Sequence, residues 1–313
     1  MVKEGSTREK HTKVIICCRG PSTPPEASNV PYYYNQTQTN TQLGNYINFI
    51  AYNGTGTIMV ANSNTMIYFY SYINGQYEEI NSIPIDSITA IAVNDEGFIP
   101  AKEVKNIVTV GYIKNGTLNI IGYQYEGDIY AKHTIANKIG YSTILAVNGA
   151  GSLFAYYNII SKRVEYTHYD RSWKTINGST FPTVLDLALA TNSTYPDGKM
   201  AVLCNNTIYY YPHLNKTPLK LNTAGVTKLA LSANGLLLYF VDIISKLLYV
   251  YQFNGNSLSM VQSLALNLPS TTSNVQDISV SGDGRRIIIS GNDDYTLVYE
   301  SFNLTLWVGA IGG

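Results

Sequence analysis

The sequence predicts an all-β protein, a six-bladed β-propeller of four-stranded antiparallel blades with an extended N-terminal arm. Six apolar segments, each followed by a Gly-bearing turn, recur from residue 45 onward. Their central small residues are separated by 41, 54, 42, 42 and 49 residues, and a period of about 40–45 with four strands per unit is typical of propellers. No stretch combines helical periodicity with caps. Seven blades stay open as an alternative.

The first strand of each unit is almost continuously apolar, which predicts that both of its faces are covered by neighbouring blades. A second and a third strand follow in the same order in every unit. The fourth strands are more polar, as suits an outer edge. The predicted first strands span residues 46–52, 88–94, 144–148, 184–190, 226–232 and 277–281. The predicted fourth strands lie at 76–83, 128–135, 173–179, 218–223, 257–264 and 304–311.

Residues 1–44 differ from the rest, and we assign them to an N-terminal arm that precedes a propeller at residues 45–313. A charged start leads to a short apolar segment, a Pro-rich stretch and a tract rich in Tyr, Asn, Gln and Thr. Such segments bury too little surface to fold alone. Residues 14–18 are too few for the core of a signal peptide. Two interpretations are open, a disordered leader or a strand-bearing arm that pairs with another surface.

The arm supplies the candidate assembly residues. Residues 304–311 are expected to provide the fourth strand of the last blade, so residues 13–18 are free to pair elsewhere. The competing possibility is that residues 13–18 insert at a blade edge of the same chain. The residues predicted to mediate assembly are Val14, Ile15, Ile16, Tyr32, Tyr33 and Tyr34.

Composition limits the classes of partner. Of the 313 residues, 45% are hydrophobic, ample for a core, and only 13% are charged, about half the usual share. The 27 Tyr and 30 Asn residues suit strands and tight turns. A formal net charge of zero argues against a nucleic-acid partner. No run of 18 apolar residues occurs, so no membrane span is predicted.

The last unit carries a family resemblance. Residues 281–300 read Ser-Gly-Asp-Gly, a strand, a Gly-Asn-Asp-Asp turn and a further strand. This unit resembles those of WD-repeat and YVTN-type β-propellers, whose inner turn commonly reads Ser-x-Asp-Gly. The resemblance covers about residues 45–313, but the chain lacks the Gly-His and Trp-Asp dipeptides of WD repeats. The overall composition is similar to that of surface and structural proteins of crenarchaea and their viruses.

The sequence indicates no catalytic, cofactor-binding or metal-binding residue. The four histidines, His11, His133, His168 and His213, have no metal-ligand spacing. Turn carboxylates usually cap backbone N–H groups, and there is no Gly-x-Ser-x-Gly elbow or phosphate loop. A glycan-cleaving propeller hydrolase, the enzymatic alternative, would need two carboxylates and a cation in one funnel.

Eight Asn-x-Ser/Thr sequons, slightly more than chance gives, mark sites where glycans would be tolerated in turns or at strand ends. They are Asn35, Asn53, Asn115, Asn177, Asn192, Asn205, Asn215 and Asn303.

These observations predict a non-enzymatic structural and interaction protein, a component of a virion or cell-envelope surface. It would assemble through its arm with copies of itself or other structural proteins, and attach to host surface glycans or proteins. An intracellular scaffold of WD-repeat type is the third hypothesis, which mapped glycans would eliminate.

Overall fold

The structure of the protein is a computed structural model, and β-strands account for most of the residues it describes. No helix occurs among those residues, so the all-β prediction is confirmed. The described residues are 33–39, 49–52, 58–63, 65–73, 76–85, 88–93, 107–115, 117–124, 129–138, 144–149, 151–170, 172–190, 192–268, 275–280, 284, 286–291 and 296–302.

The strands form six four-stranded antiparallel sheets, numbered here sheet 1 to sheet 6 in chain order. In sheets 1–5 each strand pairs with the next one along the chain. Sheet 1 contains β2 (Phe49–Tyr52), β3 (Ile58–Asn62), β4 (Met66–Ile73) and β5 (Gln76–Pro84). Sheet 2 contains β6 (Ile88–Val93), β7 (Ile107–Lys114), β8 (Thr117–Gln124) and β9 (Ile129–Lys138). Sheet 3 contains β10 (Leu145–Val147), β11 (Leu153–Asn158), β12 (Arg163–Asp170) and β13 (Ser172–Thr180).

The second half of the chain repeats this plan with one change. Sheet 4 contains β14 (Asp186–Leu189), β15 (Met200–Cys204), β16 (Thr207–Tyr211) and β17 (Leu219–Asn222). Sheet 5 contains β18 (Val226–Leu231), β19 (Leu237–Asp242), β20 (Leu247–Phe253) and β21 (Leu258–Ala265). Sheet 6 contains β22 (Val275–Val280), β23 (Arg286–Gly291), β24 (Thr296–Phe302) and, as its fourth strand, β1 (Tyr33–Thr39).

Sheet 6 takes its fourth strand from the N-terminal part of the chain. β1 pairs antiparallel with β24, with Tyr33 opposite Phe302 and Thr39 opposite Leu297. The prediction that residues 304–311 fill this position is wrong, because β1 occupies the edge of β24. Residues 304–311 themselves lie outside the described part of the chain. Residues 33–39, which the sequence placed in the arm, are therefore a strand of a sheet in their own chain.

The packing of the first strands explains why their sequences are nearly all apolar. In β14, Leu187 belongs to a core cluster with side chains of sheet 3, whereas the next residue, Ala188, belongs to a cluster with side chains of sheet 5. Successive residues of a strand point to opposite faces. Both faces of β14 are therefore covered, and the core lies between neighbouring sheets.

The six sheets contact one another through these first strands. β2 contacts β6, β6 contacts β10, β10 contacts β14, β14 contacts β18, and β18 contacts β22. In addition, β22 of the last sheet contacts β2 of the first sheet.

The strands run between two distinct ends. In sheets 3–5 the end of the sheet that carries the turn between first and second strands contacts the equivalent turn of the next sheet, and we call this the turn end. Two hydrogen bonds join one turn to the next, Asn148 Nδ2 to Ser193 O at 2.8 Å and Asn192 N to Ala233 O at 2.8 Å. From β19, Tyr239 Oη donates to Gly284 O of the following turn at 3.4 Å.

The hairpins that join second and third strands lie at the opposite end, which we call the hairpin end. After sheets 3 and 4, the link to the next sheet runs past the hairpin. Phe181 N donates to Lys162 O at 2.8 Å, and Thr223 N donates to Asn206 O at 2.7 Å. The hairpin end is therefore built from hairpins and inter-sheet links together.

Candidate functional site

Two loops at the hairpin end have nearly the same sequence. Residues 158–162, between β11 and β12 of sheet 3, read Asn-Ile-Ile-Ser-Lys. Residues 242–246, between β19 and β20 of sheet 5, read Asp-Ile-Ile-Ser-Lys. We call these the twin loops. The strand pattern of the sequence does not single them out, although the same four residues recur at a spacing of 84, two units of 42.

The twin loops have the same backbone geometry. In each, the Oδ1 atom of the first residue accepts hydrogen bonds from the N–H groups of the third and fourth residues. The distances are 3.0 and 3.1 Å in sheet 3, and 2.9 and 3.2 Å in sheet 5. The fifth residue is left-handed, with φ of 53° at Lys162 and 56° at Lys246. An Asn or Asp side chain that caps two N–H groups holds a tight loop without help from other elements.

This geometry presents an isoleucine to solvent in each loop. Ile160 is 76% exposed and Ile244 is 77% exposed. Ile159 and Leu185, also at the hairpin end, are 42% and 45% exposed. In the described part of the chain only one other large hydrophobic residue is exposed, Met260 on β21. Four of the five exposed large hydrophobic residues in the described part of the chain therefore lie at the hairpin end, which makes this end the candidate interaction surface.

Positive charge accompanies the exposed isoleucines. Lys162 and Arg163 follow Ile160, Lys246 follows Ile244, and all three cationic residues are exposed. The one acidic residue of the twin loops, Asp242, is engaged as the cap. Each loop thus offers an apolar tip beside a cation.

The hairpin between the twin loops is polar. β15 and β16 of sheet 4 are joined by Asn205 and Asn206, both exposed. Asn205 has a positive φ of 52°, a conformation that Asn tolerates better than most residues. The two apolar tips are therefore separated by a polar hairpin.

A second feature lies on the first strands. Asp186, Lys228 and Asp277 each precede the central small residue of β14, β18 and β22 by two positions. In sheets 1–3 the equivalent residues are Phe49, Ala90 and Ile144. Charge at this position is thus confined to three consecutive sheets.

The charges of this trio alternate in sign across neighbouring strands, with Lys228 between the two carboxylates. Asp186 Oδ2 accepts a hydrogen bond from Leu229 N at 2.8 Å. Burial raises the pKa of Asp186, and the Lys228 ammonium partly opposes that rise. Burial alone would lower the pKa of Lys228, but the carboxylates of Asp186 and Asp277 raise it above its ordinary value. The trio links β14, β18 and β22 electrostatically, and we assign it a structural role.

The histidines whose side chains are described lie apart from the twin loops. His168 on β12 stacks on Tyr195, with ring centroids 4.9 Å apart and an interplanar angle of 21°. His213 Nδ1 lies 3.5 Å from Asp197 Oδ1. Within the described residues, no three His, Cys, Asp or Glu side chains converge on a metal site.

Five of the predicted glycosylation sites have described side chains, and all five are exposed: Asn115, Asn177, Asn192, Asn205 and Asn215. Asn35 lies on β1, opposite Glu300 of β24. Asn53 and Asn303 lie outside the described residues. Glycan attachment stays a prediction.

The predicted assembly residues are divided between two parts of the chain. Tyr33 and Tyr34 lie in β1, where they pair with Phe302 and Ser301 of the same chain. Val14, Ile15, Ile16 and Tyr32 lie outside the described residues. Pairing with a neighbouring chain stays a prediction for the remaining arm.

Among the described residues, no helix has the length and apolar character needed to cross a membrane. No protein-family model matches the chain, and no curated protein matches it.

Proposed function

We propose that the six sheets are the blades of a closed six-bladed β-propeller. The contact between β22 and β2 supports this, because it adds the last sheet to the first in a series where every sheet touches the next. The pairing of β1 with β24 also supports it, since this pairing ties the start of the chain to the last sheet. A closed arrangement protects strand edges and both faces of every first strand.

With this fold, the protein acts as a non-enzymatic structural and interaction protein of a virion or cell-envelope surface. It assembles through its N-terminal arm at one end and attaches through the other. One observation carries this proposal. Tyr33 and Phe302, paired in sheet 6, lie at the turn end, whereas the exposed isoleucines of the twin loops lie at the hairpin end. Residues 1–32 and 303–313 therefore join the sheet at the end opposite the apolar tips.

This separation lets assembly and attachment proceed together. Contacts made by residues 1–32 near the turn end leave the hairpin end uncovered. The exposed sequons and the low charged fraction of 13% suit a surface that faces the outside.

The assembly part is tested by removing residues 1–32 while keeping β1, so that sheet 6 stays complete. We expect the full chain to co-purify with virion or envelope fractions of its native source and to form oligomers in light scattering. The shortened chain should lose both while keeping its β-sheet circular dichroism and melting temperature.

The double substitution Ile160→Ser and Ile244→Ser serves as the control, because it changes only the hairpin end and should leave oligomers intact. Unchanged oligomeric size after removal of residues 1–32 would contradict assembly through the arm. Recovery of the native protein in a cytosolic fraction alone would contradict the surface location.

Glycosylation is tested on the native protein by mass spectrometry of peptides spanning the five exposed sequons. We expect glycan mass on at least one of them, lost on the matching Asn→Gln substitution. Unmodified peptides at all five would contradict a glycosylated surface.

A further inference from the structure

We infer that the hairpin end docks on an anionic lipid surface, with the isoleucine tips of the twin loops inserted among the headgroups and acyl chains. The inference rests on the proposed function in one respect, that the hairpin end faces the attachment target. It adds the chemical class of that target.

The apolar component comes from Ile160 and Ile244, which are 76% and 77% exposed. Each protrudes from a loop whose backbone is already fixed by the Asn158 or Asp242 cap. Little conformational freedom is therefore lost on insertion, so most of the gain from burying the side chain contributes to binding.

The electrostatic component comes from Lys162, Arg163 and Lys246. These exposed cations flank the two tips. The formal net charge of the whole chain is zero, so the attraction to an anionic surface depends on these three side chains. Cations next to an inserting apolar residue are attracted to phosphatidylserine-type headgroups, and this attraction is screened by salt.

A lipid surface fits the spacing of the tips better than a protein does. Protein interfaces bury a contiguous central patch rich in Trp, Tyr and Arg. Here the tips are aliphatic and lie on sheets 3 and 5, with the polar Asn205–Asn206 hairpin of sheet 4 between them. A fluid bilayer can accept each tip independently and leave the polar hairpin hydrated.

The test is co-sedimentation of the full chain with two kinds of vesicle, pure phosphatidylcholine and an equimolar mixture of phosphatidylcholine and phosphatidylserine. We expect binding to the mixed vesicles, weakened by added NaCl, and little binding to pure phosphatidylcholine. Ile160→Ser and Ile244→Ser should each lower the partition coefficient about tenfold. Lys162→Gln and Lys246→Gln should each lower it about fivefold.

Met260→Ser is the matched control, because Met260 is 56% exposed but lies on β21 rather than in a twin loop. This variant should bind like the wild type. The melting temperature of every variant is measured, so that loss of binding is not confused with loss of fold. If the isoleucine variants unfold, the lysine variants still test the same surface.

Three outcomes overturn the inference: no binding of the full chain to mixed vesicles, equal binding to both vesicle types, or binding that the isoleucine and lysine substitutions leave unchanged. If the wild type does not bind vesicles while Ile160→Ser and Ile244→Ser abolish attachment to the native target, the target is a protein or glycan. That result overturns the lipid inference and leaves the proposed attachment function standing.

Discussion

The loop at residues 158–162 in sheet 3 and the loop at residues 242–246 in sheet 5 share four of their five residues, yet different side chains support them from beneath. In sheet 3 the support is polar. Asn158 Nδ2 and Ser161 Oγ both donate to Oε1 of the buried Glu165, at 2.9 Å each. Tyr156 lies opposite Glu165 in the β11–β12 pairing, and its hydroxyl is 3.5 Å from Thr167 Oγ1.

In sheet 5 the same positions are aromatic. Phe240 takes the place of Tyr156, and Tyr249 takes the place of Glu165 opposite it. The Phe240 ring stacks on Tyr249 with centroids 5.2 Å apart and on Tyr251 at 5.3 Å. The loop above is held in addition by a hydrogen bond from Ile243 N to Gly225 O at 3.1 Å.

The comparison shows that the shape of the twin loops is set locally, by the cap and the left-handed lysine. The side chains beneath the loop can be either a hydrogen-bonded carboxylate or stacked aromatic rings. The two layers differ in the energetic cost of removing one of their side chains. A polar network is costly when one partner is removed, because a buried carboxylate is left unsatisfied, whereas removal of a stacked ring costs its buried contact area.

The largest effect is expected at Gly225, which supports only the sheet 5 loop. Gly225 has φ of 76°, and a Cβ there would overlap Asp242 Oδ1 and lie 2.7 Å from Ile244 Cγ1. Gly225→Ala should therefore displace the cap as well as strain the backbone, lowering the free energy of unfolding by about 3 kcal/mol. Chemical denaturation measures this loss.

Gly255→Ala is the matched control. Gly255 also has positive φ, 100°, but a Cβ at this position would have no neighbour within 4 Å. The substitution should therefore cost only the backbone strain, about 1 kcal/mol. Equal losses for the two variants would show that contact with the Asp242 cap is unimportant.

The next effect separates the two caps. Asn158→Ala removes a cap and a donor to the buried Glu165, so it should lower the free energy of unfolding by about 2–3 kcal/mol. Asp242→Ala removes a cap alone and should cost about 1 kcal/mol. Urea denaturation of both variants tests the difference, and a larger loss for Asp242→Ala would reverse our account of the two supports.

A third effect depends on pH. Burial, with a smaller contribution from the charge of Glu165, raises the pKa of Tyr156 to about 12. Because the unfolded phenol ionises first, near its ordinary value of 10.0, the protein should lose about 2 kcal/mol of stability as the pH rises from 10 to 12. Tyr156→Phe, which copies the sheet 5 residue, should remove this part of the loss.

The measurement is the difference in the free energy of unfolding between wild type and Tyr156→Phe, followed from pH 9 to about pH 12. Other buried tyrosines titrate in both proteins, so the difference isolates Tyr156. A difference that does not change with pH would contradict the assignment.

The smallest effect is expected from Asp242→Asn, which makes the twin loops identical in sequence. Because Asn158 caps the same two N–H positions in sheet 3, the free energy of unfolding should change by less than about 0.5 kcal/mol. A loss above about 1 kcal/mol in thermal or urea unfolding would mean that the carboxylate charge itself matters.

The strands could be predicted because their signal is local. The predicted first strand at residues 226–232 matches β18 (Val226–Leu231), and the six segments fall in six sheets as the period indicates. β1 could not be predicted in this way. Its sequence, Tyr-Tyr-Asn-Gln-Thr-Gln-Thr, has little apolar pattern, and its partner lies at the other end of the chain, where local periodicity carries no information.

The twin loops could be predicted only in part. The recurrence of Ile-Ile-Ser-Lys is visible in the sequence, but an Ile-Ile pair ordinarily indicates part of a strand. Ile160 and Ile244 are exposed because each lies in a tight loop, between the Asx cap that ends the preceding strand and a left-handed lysine. The burial of Glu165 depends on Asn158 and Ser161 folding over it, and no pattern of residue types predicts that.

The pairing of β1 with β24 makes the last sheet depend on two segments that are far apart in the chain. Tyr33 and Phe302 are 269 residues apart, so during synthesis β1 lacks the strand it pairs with until β24 has left the ribosome. Closing so long a loop carries a large entropic cost, repaid only when the strands of sheet 6 are in place. A chain that stops before β24 keeps the β1 edge unpaired, and such open edges are what cellular quality control and aggregation both recognise.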